Sequence, residues 1–202
     1  MGSYCEIASQ YLGGTMKAQS IHRILVGITA LAWVLLIGSP CVWAQKADSE
    51  HISSLLTEAK TYAVQAEDDS ATLESFTRSN LEWRSHAVKL EQIKSHVNEI
   101  GKLLKQMSDI SSEGSPWQQE AIRQIDPLLR SMAANLTSTI EHLNANQSQV
   151  HMPPYRDYVH ANYEFASRTA EMIGDFVDYD KAKARATTLE QKLELPATGQ
   201  SE

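Results

Sequence analysis

The chain has 202 residues, 42% of them hydrophobic, and sets 18 Lys and Arg against 25 Asp and Glu for a net charge of −7. That length holds one domain with a sizeable core, or a leader followed by a domain of about 150 residues. The acidic balance argues against nucleic acid or an anionic membrane as a partner.

Residues 1–15 read as an extension upstream of a second start at Met16. From there Lys17 and Arg23 flank an apolar run from Ile24 to Ile37, which a Gly38-Ser39-Pro40 break and a small-x-small Val42-Trp43-Ala44 site follow. This is the pattern of a secretory signal peptide over residues 16–44, cleaved before Gln45. The apolar run is shorter than the roughly 20 residues that span a bilayer. An uncleaved anchor is the alternative, and a membrane is expected as a partner only in that case. Both cysteines, Cys5 and Cys41, precede the cut, so an exported chain would lack disulfides, thiolate metal ligands and attached c-type haem. Export to a periplasmic or extracellular compartment is the expected localisation.

Residues 45–195 read as a helical domain. Ile52, Leu55, Leu56, Ala59, Tyr62, Ala63 and Ala66 fall at helical spacing and predict a first helix over 48–66, stopped by the acidic run Glu67-Asp68-Asp69-Ser70. A second helix is predicted over 71–108, on the seam Leu90, Ile93, Val97, Ile100, Leu104 and Met107, which alternates by three and four. Extended backward, that seam passes through His86, Trp83, Ser79 and Phe76. On this reading the first helix is half as long as the second, and three helices alone cover one end.

Ser115-Pro116-Trp117-Gln118 carries the N-cap, first-turn proline and capping-box glutamine of a third helix. Its seam is Ile122, Ile125, Leu129, Met132, Leu136, Thr139 and Leu143, with a kink expected at Pro127. Pro153-Pro154 opens a fourth helix to about Leu193, whose inner face reads Tyr158, Val159, Asn162, Phe165, Ala166, Thr169, Met172, Ile173, Phe176 and Val177. Leu189 and Leu193 continue beyond the reach of the other helices, and residues 196–202 read as a disordered tail. Short connections predict an all-α, up-down-up-down antiparallel four-helix bundle with heptad-like seams.

Within this frame Trp83, His86, Thr139, His142, Tyr158 and Asn162 are expected near one level, as a polar layer in an otherwise apolar core. Such a layer can hold a small ligand or a metal between His86 and His142. The better supported reading is a hydrogen-bonded layer that fixes how the helices align. On it, His86→Leu should be nearly neutral if the histidine's partner can rehydrate. No Glu-x-x-His, His-Glu-x-x-His, Gly-x-Ser-x-Gly or phosphate-binding glycine loop occurs. The acidic stripe Glu171, Asp175 and Asp178 lies along one straight helix and reads as a solvated face rather than a calcium site.

No catalytic residue, metal ligand or cofactor is therefore expected. The expected function is that of a non-catalytic secreted or periplasmic module, structural or sensor-like, acting through a protein partner or self-association. The alternative is a ligand- or metal-binding bundle centred on His86.

Overall fold

Ser49, extended at φ −84° and ψ 115°, accepts a hydrogen bond from the backbone N–H of Ile52 and starts α1, Glu50–Phe76, in the computed structural model. The structure describes residues 46–194. The leader, the upstream extension and the tail beyond 195 lie outside the described residues.

Three further long helices follow: α2 at Trp83–Asp109, α3 at Pro116–Ala145 and α4 at Pro153–Lys192. Short 3-10 turns at Ser111–Glu113 and Gln147–Gln149 lie in the last two connections, and the described residues contain no strand. The four helices pack as a closed ring in which α1 touches α2 and α4, and α3 touches the same two. Their shared core includes Ile52, Leu56, Leu73, Leu90, Ile93, Ile100, Ile125, Met132, Leu143 and Ile173, each nearly inaccessible to solvent. None of the described helices is long and apolar enough to cross a membrane.

The first boundary differs from the sequence expectation. Glu67, Asp68, Asp69 and Ser70 do not stop a helix but lie inside α1. The small-residue stripe Ala59, Ala63, Ala66, Ser70 and Leu73 continues through them at intervals of four and three, and all five are buried. Ser70 is tolerated there because its hydroxyl donates to the carbonyl of Ala66 at 2.7 Å, so its polar atom is satisfied inside the helix. Asp69 finds its counter-charge across the interface, 2.8 Å from Lys89 Nζ and 3.1 Å from His96 Nε2.

The chain turns instead at Thr77–Glu82. There the Thr77 hydroxyl donates to Glu74 O (2.8 Å) and the Ser79 hydroxyl to Phe76 O (2.8 Å), satisfying carbonyls at the open end of α1. Phe76 and Ser79 therefore do not belong to the seam of the second helix. With 27 residues each, α1 and α2 are equal in length, about 40 Å at the helical rise, and no three-helix end arises from a short α1. Helix α3 starts as expected, with Ser115 and Gln118 forming the capping box, and it runs through Pro127 without interruption.

Two glycines test the packing in opposite directions. A methyl group on Gly101, inside α2, would stand 4.0 Å from Leu129 Cδ2, an ordinary contact. Gly101→Ala is expected to stabilise by about 1 kcal/mol, by removing a helix-interior glycine. On Gly114 the same atom would stand 2.7 Å from Ile52 Cδ1, a fully buried side chain. Gly114→Ala is expected to cost about 1 to 3 kcal/mol by overpacking. Urea denaturation of the two variants checks both signs.

Candidate functional site

His86 lies in the first turn of α2, so the shift of the α1–α2 turn moves it from mid-helix to the end of the bundle. Its imidazole is fully buried. The Nδ1 atom is 3.2 Å from the hydroxyl of Tyr155 on α4, whose side chain is also inaccessible. Ring contacts complete the surroundings: Phe76 at 5.7 Å, Tyr155 at 5.4 Å and His151 at 6.3 Å between centroids. The Nε2 atom of His86 has no hydrogen-bond partner among the described residues.

Burial, with the nearby His151 adding to it, holds the His86 pKa down to about 4, so the ring is neutral at neutral pH. Burial likewise pushes the Tyr155 phenol above its ordinary range. The pair is therefore an uncharged hydrogen bond in an apolar pocket, the form a low dielectric favours. Trp83 stands at the opening residue of α2, half-buried, with the Arg84 guanidinium 4.9 Å from its ring centroid.

The other members of the expected layer form a second cluster along α3 and α4. Asn162 donates through Nδ2 to Thr139 Oγ1 at 2.7 Å, and the Thr139 hydroxyl donates to Asn135 O at 2.8 Å. Asn135 in turn donates to the backbone oxygen of Tyr158 at 3.2 Å. Thr139 and Asn162 are fully buried, and Asn162 Oδ1 is left without a partner among the described residues. His142 stacks on Tyr155 at 6.2 Å and meets Tyr158 at 5.3 Å. It joins the two clusters through aromatic contact with Tyr155 and Tyr158, whereas the rings against His86 are Phe76, His151 and Tyr155. Among the described residues no group of three or more His, Cys, Asp or Glu is arranged to hold a metal.

Sequence reasoning missed Tyr155 and His151. The signal for Tyr155 was present: stepping back along α4 from Ile173, Ala170, Ala166, Asn162 and Val159 by threes and fours reaches it. His151 carries no periodic signal, since it lies in the loop before α4.

A second polar constellation holds the opposite end. Gln118, fully buried, accepts through Oε1 from Ser49 N (2.9 Å) and Ser115 N (3.0 Å). Through Nε2 it donates to Ser49 O (2.9 Å) and Ser53 Oγ (3.1 Å). One amide thus ties the start of α1 to the start of α3. Beside it, Asp48 accepts from Trp117 Nε1 at 2.7 Å and pairs with Lys183 Nζ at 2.6 Å, and Trp117 meets Tyr179 edge-on at 5.3 Å. Burial would raise the Asp48 pKa, but the hydrogen bonds from Lys183, Ser115 and Trp117 outweigh it and hold the carboxyl below its ordinary value.

Between α2 and α3 runs an open groove of about 480 Å³, floored by Val97, Leu104, Ile122 and Leu129 and edged by Lys105, Asp109, Asp126 and Arg130. Lys105 pairs with Asp109 and Arg130 with Asp126, so the edge is locally neutralised. No protein-family model, curated protein or solved structure matches this chain.

Proposed function

We propose that this protein is a non-catalytic, exported four-helix module that works through its surface and associates with a second copy of itself. The arrangement is read as up-down-up-down and antiparallel. It is supported by cross-helix pairs that join the late part of one helix to the early part of a neighbour: Lys89 with Asp69, Asn162 with Thr139, and His160 with Glu74. Export rests on the leader pattern in residues 16–44, including the positive flank and the small-x-small site.

The observation that carries the association is the far end of α4. Tyr179, Ala182, Ala186, Leu189 and Leu193 succeed one another alternately by three and four, and all are exposed, Leu189 at 45% and Leu193 at 61%. At about 100° per residue this stripe is turned roughly 150° from Val177, the last buried apolar residue of the helix. Beyond Tyr179, which meets Trp117, it therefore faces away from the bundle's own core and has the pattern of a coiled-coil seam. Arg185 precedes Glu194 on this segment, so a second copy running antiparallel sets a basic residue against an acidic one.

Light scattering on the exported protein is expected to give a concentration-dependent dimer, and Leu189→Glu with Leu193→Glu is expected to shift it to monomer without loss of helical circular dichroism. A wild-type protein that stays monomeric at every accessible concentration would refute the association.

A further inference from the structure

His86 Nε2 is a buried ring nitrogen with no hydrogen-bond partner among the described residues, and a folded protein rarely leaves such an atom unused. Its surroundings narrow what could meet it. Of the three rings against His86, Tyr155 takes the Nδ1 edge and Phe76 has no polar atom. His151 remains, an exposed histidine in the loop before α4.

The hydrogen bonds at the other ring nitrogens share one pattern. His151 Nδ1 lies 3.4 Å from the backbone oxygen of Thr77, which can only accept, so this contact calls for a proton on Nδ1 and leaves the Nε2 lone pair open. For His86, Nδ1 faces the Tyr155 hydroxyl. If the ring proton sits on Nδ1 and donates to Tyr155, Nε2 again carries a lone pair. Either tautomer leaves one buried donor unbonded among the described residues, Nε2–H in the opposite form and the Tyr155 O–H in this one, and only this one leaves Nε2 free to ligate. Metal-binding histidines are held in the same way, with the distal nitrogen donating to a carbonyl or another polar group and the proximal one left for the ion.

We propose that His86 and His151 form a two-imidazole site for a divalent transition ion, copper first and zinc second. Imidazole suits both ions, and copper heads the affinity order for nitrogen ligands. An ion bound at about 2.0 to 2.1 Å stands roughly 3.2 Å from each ring centroid, so two imidazoles on one ion have centroids about 5 to 6.4 Å apart, depending on the angle. The observed 6.3 Å falls at the wide end of that range. The exposed His151 side chain can close the remainder, and its open side leaves the other coordination positions to water. Bound there, the ion would clamp the α1–α2 turn, through Thr77 and His151, to the first turn of α2.

The test is a titration of the full chain, with Cys5 and Cys41 alkylated, by Cu²⁺ and separately by Zn²⁺. Calorimetry is expected to show one Cu²⁺ site of micromolar or tighter affinity, with electron paramagnetic resonance recording nitrogen coupling from two imidazoles. His151→Gln, a change at an exposed loop position, should weaken that site at least tenfold and abolish one of the two nitrogen couplings. His142→Gln should leave both readouts within twofold. A buried water on His86 Nε2 in place of a metal site would appear as Cu²⁺ binding no tighter than about 100 μM, or as binding indifferent to His151→Gln, and either result would overturn the proposal.

Discussion

Replacement of Gln118 by alanine is expected to cost about 3 to 4 kcal/mol of folding stability, a large share of what a single domain possesses. The amide makes four short hydrogen bonds to three residues, and it is completely buried. Deleting it strips the Ser115 N–H, in a residue only 1% exposed, of its acceptor. The Ser49 N–H loses its partner as well, while the Ser49 carbonyl keeps the bond from Ser53 N–H. Each buried group left unpaired costs roughly 1 to 3 kcal/mol, and partial entry of water lowers the sum. Gln118→Glu distinguishes hydrogen bonding from packing. The carboxylate preserves the volume and can still accept from both N–H groups, but it cannot donate to Ser49 O or Ser53 Oγ. It should therefore recover part of the loss only when acidic conditions protonate it. Urea unfolding of the two variants at pH 7 and pH 4 measures both effects. A cost below 1 kcal/mol for Gln118→Ala would show that α1 and α3 are held at that end by apolar contact alone.

His86 is expected to make stability fall as the solution is acidified. Its folded pKa is about 4, against an ordinary value of 6.5 for histidine. The unfolded chain therefore binds the proton more readily between those limits. The contribution is fully present above about pH 6.5, declines as the pH drops towards 4 and levels off below it, where both states are protonated. A difference of that size corresponds to about 3 kcal/mol. The cause is burial first, and His151 second.

Substitution by leucine abolishes this slope but introduces another cost. The near-neutrality anticipated from sequence required a partner able to rehydrate, and Tyr155 is 1% exposed, so its hydroxyl loses its bond to His86 without gaining water. His86→Leu is expected to destabilise by about 1 to 3 kcal/mol at pH 7, and adding Tyr155→Phe should return most of it. Denaturation of wild type, His86→Leu and the double variant from pH 7 to pH 4 separates the terms. If the double variant shows the same acid dependence as wild type, other groups carry the titration.

How much of this was legible beforehand depended on which physical signal was local. The start of α3 was read correctly because Ser115, Pro116 and Gln118 act within four consecutive residues, and a capping box needs nothing from the rest of the chain. The seams of α2 and α3 were equally legible, since Leu90, Ile93, Val97 and Ile100, like Ile125, Leu129, Met132 and Leu136, alternate by threes and fours whatever they face. All eight are buried. The turn at Thr77–Glu82 was not legible, because it contains neither glycine nor proline and closes through the Thr77 and Ser79 hydroxyls. The acidic run seven residues earlier gave the more conspicuous but false boundary.

Sequence alone thus determined that the chain is helical, where two of its helices begin and which of their faces are apolar, because those properties follow from periodicity and capping. Which polar residues meet was decided by the tertiary structure. Moving the turn from Glu67–Ser70 to Thr77–Glu82 carries His86 from the middle of a helix to its first turn, where it finds Tyr155 and His151 instead of Thr139 and Asn162. Ser70 and Asp69 show the same dependence: alone they look like a helix stop, and only the backbone carbonyl of Ala66, the Lys89 ammonium and the hydrogen bond with the His96 ring make them tolerable inside one. The partners of a buried polar atom are set by helix alignment over the whole bundle, and no stretch of the chain shorter than the bundle contains that information.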